Sequence, residues 1–164
     1  MRLYRHSLIA LLLALCAAQP ALSRNTLGIY HGWGAFQDEA PARCFAIARP
    51  STHMAGRDWQ PFAAIGYYPP QRVYGQFHAR LRYNLRPGSR ITATIDDRRF
   101  TLIGRGSDAW AMDATQDAAL IRAMRSARGI SIEAVASTGQ GFADSYRLRG
   151  AASAIDAAAI ACSR

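Results

Sequence analysis

The segment VYGQFHARLRYNLRPGSR, from Val73 to Arg90, alternates apolar and polar positions more regularly than the rest of the chain. Side chains along a strand point alternately to opposite faces. The spacing predicts a strand with His78, Arg80, Arg82, Asn84 and Arg86 on one face and Phe77, Ala79, Leu81, Tyr83 and Leu85 on the other. LGIYHGWGAF (27–36) and RCFAIAR (43–49) read as two more strands, joined by the turn QDEAPA. In WQPFAAIGYY (59–68), Pro61 implies an edge strand or an irregular start, because proline cannot donate to a ladder. ITATI and RRFTLIG form a hairpin around Asp96-Asp97, with Ile91, Ala93 and Ile95 inward and Phe100 and Leu102 opposite them.

A short strand is expected between Ser107 and Asp113, and then the period lengthens. In DATQDAALIRAMRSA, Ala119, Leu120, Ala123, Met124 and Ala127 fall on one helical side, with Asp113 or Thr115 as the cap. Arg122, Arg125 and Arg128 gather where the helix dipole favours cations, and Gly129 is the expected stop. GISIEAVAS and FADSYRLRG read as strands around a turn at Thr138 to Gly141, and AASAIDAAAIACSR as a terminal helix. About nine short strands and two modest helices predict a mainly β, single-domain antiparallel sandwich or barrel with one internal and one C-terminal helix.

A different apolar pattern opens the chain. Arg2 and Arg5 precede the run SLIALLLALCAA and a small-residue exit, the layout of a secretory signal peptide. The run is shorter than the roughly 20 apolar residues that span a bilayer. Cleavage after Ala18 or after Ser23 satisfies the small-residue rule, and the later site divides the chain into a leader, 1–23, and one β-rich domain, 24–164. Lipidation at Cys16 is disfavoured by the bulky Leu15 before it. The address implied is the periplasm or cell surface, with no transmembrane segment in the mature chain. There the remaining cysteines, Cys44 and Cys162, are expected to be bonded, because an even pair in an oxidising compartment usually is.

All 20 basic residues are arginine, and the mature chain keeps 18 against 11 acidic residues, near +7. Such a surface favours anionic partners. Arg80, Arg82 and Arg86, beside His78, form the patterned set, a row able to hold an anionic or protein partner. A solvated face is the commoner outcome of that pattern on an antiparallel sheet. Trp33, Trp59 and Trp110 are candidates for an aromatic platform, with burial in the core as the commoner fate.

Catalytic signatures are weak. His31, His53 and His78 stand apart, with no CxxC or HExxH, so no metal is expected. No Walker loop, Rossmann fingerprint or G-x-S-x-G occurs, so neither a nucleotide nor another cofactor is implied, and nothing indicates specific nucleic-acid recognition. Ser51 and His53 can be read as nucleophile and base, but such partners meet in space and need a third, orienting group. Asp38-Glu39 and Asp96-Asp97 are the carboxylate pairs a glycosidase would use, yet both sit in predicted turns where aspartate bonds its own backbone.

The leader, Trp33 followed by Cys44, and the ending LIRAMRSA, ISIEAVAS and YRLRGAASAI resemble the invasion-associated locus B family of bacterial envelope proteins. Members commonly carry a cysteine soon after the early tryptophan, where this chain has Gly34, Ala35 and Phe36, so the family's disulfide scheme does not transfer. The resemblance implies a β-rich periplasmic or surface-associated protein, linked in pathogenic relatives to entry into host cells, with no established catalytic residues to transfer. The expected function is an exported, non-enzymatic protein binding an anionic envelope component or a protein partner. The alternative is a small periplasmic hydrolase acting on cell-wall material.

Overall fold

The alternating segments become ten antiparallel strands of one sheet in the computed structural model, which describes residues 24–51 and 59–163. The strands are β1 (Arg24–Tyr30), β2 (Trp33–Glu39), β3 (Ala42–Ala48), β4 (Phe62–Tyr68), β5 (Val73–Arg80), β6 (Ile91–Ile95), β7 (Arg98–Arg105), β8 (Asp108–Trp110), β9 (Gly129–Val135) and β10 (Gly141–Arg147). Helix α1 (Ala114–Ser126) joins β8 to β9, and α2 (Ala151–Ala161) ends the fold. The sheet order is β1-β2-β3-β4-β5-β8-β7-β6-β9-β10. β7 belongs to two half-sheets, since its first residues pair with β6 and its last with β8. The leader read at 1–23 and His53 lie outside the described residues.

Alanines carry the inner packing. Ala35, Ala46, Ala48 and Ala63 line the inner face of β2–β4, and α2 turns Ala151, Ala154, Ile155 and Ala158 into the same core. Small side chains on both surfaces bring helix and sheet backbones close, where many weak dispersion contacts add up. Cys44 on β3 and Cys162 at the end of α2 are bonded, with Cα atoms 5.8 Å apart. Gly150 starts the helix at φ 89, and a Cβ there would collide with the Tyr30 carbonyl. Only glycine fits both demands.

Helix α1 packs on β5, where Gly75 (φ 103) forms a bulge and its missing Cβ leaves room for Ile121. Asp113 caps α1 by accepting from the Gln116 N–H. Asp117, one turn on, accepts from the Phe77 N–H at 2.7 Å, satisfying a strand group that β8 is too short to reach.

Several expectations are corrected. The 27–36 segment is two strands, because His31 adopts φ 56 and, with Gly32, turns the chain between Tyr30 and Trp33. β2 continues to Glu39, leaving only Ala40-Pro41 as the turn. β4 is central, not an edge, and its missing proline donor does no harm because Pro61 precedes the ladder. Helix α1 ends at an extended Ala127, while Gly129 opens β9. Most consequentially, the strand expected over 73–90 stops at Arg80. Burial still alternates at Phe77, Ala79, Leu81 and Leu85, but the backbone crosses between the half-sheets. Leu81 N–H donates to Ser107, Leu85 N–H to Gly106 and Arg86 N–H to Val135.

The disulfide closes a loop with a sequence separation of 118. Loop-closure entropy gives such a bond about 4–5 kcal/mol. Urea unfolding with and without reductant is expected to differ by that amount, with the Cys44→Ala/Cys162→Ala variant matching the reduced protein.

Candidate functional site

An antiparallel sheet with one solvated face normally alternates apolar inward and polar outward residues. The half-sheet of β6, β9, β10 and the start of β7 obeys this. Its outer positions include Thr92, Thr94, Arg99, Thr101, Ser131, Glu133 and Ser145 in cross-strand register. The other half does not. There one register row runs Ile29, Gly34, Ile47, Ala64, His78, Trp110 and Ile103 across seven strands. Ile29 is 64% exposed and Ile103 51%. Phe36 and Phe45 flank the row on one side, and Phe62, Arg80, Asp108 and Arg105 on the other.

His78 stands at the centre of this face. Its ring stacks on Trp110, with centroids 5.1 Å apart and planes 6° from parallel, and meets Phe62 edge-on at 5.1 Å. His78 Nε2 donates to Asp108 Oδ1 at 2.7 Å, and Arg80 grips the same carboxylate through Nε at 3.0 Å and Nη2 at 3.2 Å. Burial pushes the Asp108 carboxyl upward, but the bonds from Arg80 and His78 outweigh it and hold the group below its ordinary value.

Two clefts border this cluster. One, of about 570 Å³, lies towards the His31-Gly32 turn between Ile29, Phe36, Ile47 and Phe62, with Arg49 and Gln60 among its lining. The other, of about 500 Å³, lies between β5, β8 and the start of α1, where Tyr74, Ile103, Trp110 and Met112 line it. Phe62 belongs to the first cleft and Trp110 to the second, and the His78 ring contacts both side chains.

The expected arginine row is not assembled. Arg80 is outward but paired with Asp108; Arg82 turns to Asp144, donating to its carboxylate through both the side chain and the backbone N–H; Arg86 is exposed beyond the strand end. The physical reason is the break after Arg80, which gives each arginine a different neighbour. Nor do the tryptophans share a platform. Trp33 is fully buried and donates to the Arg147 carbonyl, Trp59 donates to the Leu81 carbonyl, and Trp110 alone joins the outer aromatic face.

Of the proposed catalytic pairs, Ser51 donates its N–H to the Ser145 carbonyl, and His53 is outside the described residues. Asp38 is held at about 2 by the Arg24 hydrogen bond, with burial opposing and Arg43 assisting, which suits an ion pair and not an acid catalyst. Asp96-Asp97 forms the β6–β7 turn, as expected. Among the described residues no three His, Cys, Asp or Glu side chains gather as a metal set, and no helix is long and apolar enough to cross a membrane.

Asp108, Asp117 and Asp144 went unread as partners in the sequence, although one signal was present. In FADSYR, Asp144 occupies the inward parity with Phe142 and Tyr146, and a charge at an inward position needs a counter-charge. Asp144 is fully buried, and the Tyr146 hydroxyl beside it is pushed upward, first by burial and then by that carboxylate. Compared with known proteins, the chain matches no family model, no curated protein and no solved structure.

Removing Asp144 strands a guanidinium that is only 17% exposed. Asp144→Ala is expected to cost roughly 3–5 kcal/mol in urea unfolding, whereas Asp108→Asn, beside the more exposed Arg80, costs about 1 kcal/mol. The depressed Asp38 value means its contribution is complete above the unfolded carboxyl's pKa near 4 and is lost as pH falls towards 2. The stability gap between wild type and Asp38→Asn is therefore expected to close between pH 4 and pH 2, which thermal melts across that window measure.

Proposed function

We propose that this protein is an exported, non-enzymatic binding protein of the bacterial envelope, akin to the invasion-associated locus B proteins, which holds an anionic envelope component on the outer face of β1–β5, β8 and the end of β7. The observation that carries the reading is the apolar row from Ile29 to Ile103, set against the polar outer face of the other half-sheet. Extended exposed apolar surface marks interaction sites. The arginine-rich composition adds attraction for anions, which falls with salt. The charge that matters on this reading is not the β5 row, because Arg80 and Arg82 already face carboxylates.

The hydrolase alternative draws support from the His78–Asp108 bond, a base with an orienting carboxylate. Against it, the cross-strand neighbours of His78 are Ala64 and Trp110, with Phe62 alongside, and none carries a hydroxyl or thiol. Binding is the better-supported reading.

Retention on isolated envelope fractions tests it at two salt concentrations. Wild type and Thr94→Ala/Ser131→Ala, altered on the polar half, are expected to be retained alike and less at high salt. Trp110→Ala/Ile103→Ser is expected to lose about tenfold. Equal retention of all three proteins overturns the assignment of this face.

A further inference from the structure

The apolar cleft beside the His31-Gly32 turn does not end at an apolar wall. It meets a second hollow of about 280 Å³ lined by Gly32, Ala48, Arg49, Ser51 and Arg147. Gly32, Ala48 and Arg49 line both, so the two adjoin. The first hollow takes Ile29, Phe36, Ile47 and Phe62 from the outer face; the second takes two arginines and a serine.

Those arginines differ from several others in the chain. Arg24, Arg43, Arg80, Arg82 and Arg125 are ion-paired, whereas Arg49 and Arg147 have no carboxylate within ion-pair distance among the described residues. They are also far apart in sequence and are brought together by the seam of the fold. Trp33 Nε1 donates to the Arg147 carbonyl at 2.8 Å, and the Ser51 N–H donates to the Ser145 carbonyl at 2.7 Å, fixing β10 against the ends of β2 and β3. Like charges gathered in a concave site without a counter-charge favour an anion, and guanidinium forks match phosphate oxygens bidentately.

We infer that the two hollows form one site for a single-chain lipid phosphate, with the acyl chain in the apolar cleft and the phosphate between Arg49 and Arg147. The inference rests on the envelope-binding reading and names the chemistry of what the outer face holds. A soluble anion would leave the apolar cleft unused, and a neutral amphiphile would leave the arginines unmatched. Two guanidiniums suit a head that carries up to two charges better than a single carboxylate. The larger hollow, at about 570 Å³, lies within the size range of small-ligand sites.

Titration calorimetry of the exported protein with dodecyl phosphate, below its micelle concentration, provides the test. Saturable one-to-one binding is expected, with inorganic phosphate and neutral dodecyl maltoside each at least tenfold weaker. Arg49→Gln/Arg147→Gln is expected to weaken dodecyl phosphate at least tenfold and to flatten its salt dependence. Ile29→Gln, at an exposed edge position that threatens no core packing, is expected to weaken it severalfold, and Thr94→Ala/Ser131→Ala, on the polar half-sheet, to leave it unchanged. Circular dichroism confirms that each variant is folded, and Arg49→Gln alone replaces the double variant if that one is not. Undiminished binding by the folded arginine variant overturns the site. Absence of binding by wild type that is still retained on envelope fractions overturns the lipid site alone; loss of retention as well overturns the broader reading with it.

Discussion

The carbonyls of Ala143, Ser145 and Arg147 point away from β9, and each finds its donor outside any strand ladder. The Arg82 guanidinium meets the first, the Ser51 N–H the second and the Trp33 indole the third. An unpaired edge of this kind is a liability, because it can template pairing with another chain. Here it becomes the seam of the fold. β10 is last in the sheet order, yet these bonds bring it against β2 and the end of β3, so the sheet curls around its own core without a closing ladder. The alanine-faced helix α2 fills the interior this creates, and the disulfide ties its end to β3.

The same curl decides where charge goes. Arg82 reaches β10 only because the chain leaves β5 after Arg80 and crosses to the other half-sheet, and there it neutralises a fully buried Asp144. Desolvating that pair is expensive, and its removal by halves more expensive still. On the outer face the Asp108 carboxylate is shared by Arg80 and His78, with both rings beside His78 restraining its orientation. Five arginines, Arg24, Arg43, Arg80, Arg82 and Arg125, are therefore committed to ion pairs, and two of the three that the alternation singled out are among them. Arg49 follows β3 and Arg147 ends β10, and both line a hollow at a seam that no local pattern describes.

Local patterning carried the inner face well. The hairpin register of Ile91, Ala93 and Ile95 against Leu102 and Phe100, the Asp113 cap and the two helices all follow from period and capping chemistry, which act within a few residues. The Cys44–Cys162 bond also followed, from counting an even pair in an expected oxidising setting. What failed was the continuation of period 2 beyond Arg80. Burial there still alternates, but the hydrogen bonds are made to Ser107, Gly106 and Val135, distant segments that alternation cannot see.

From its residues alone this chain determined a mainly β antiparallel fold, its two helices and most of its inward side chains, because each depends on the periodicity of a single segment and on water's exclusion of apolar surface. Tertiary structure alone decided that an apolar row crosses the outer face of one half-sheet, that His78 lies between Phe62 and Trp110, and that Arg49 and Arg147 line one hollow. Those outcomes depend on strand order and on the bonds closing β10 against Trp33 and Ser51. Register between strands distant in sequence is set by the packing of the whole core, so no single segment contains it.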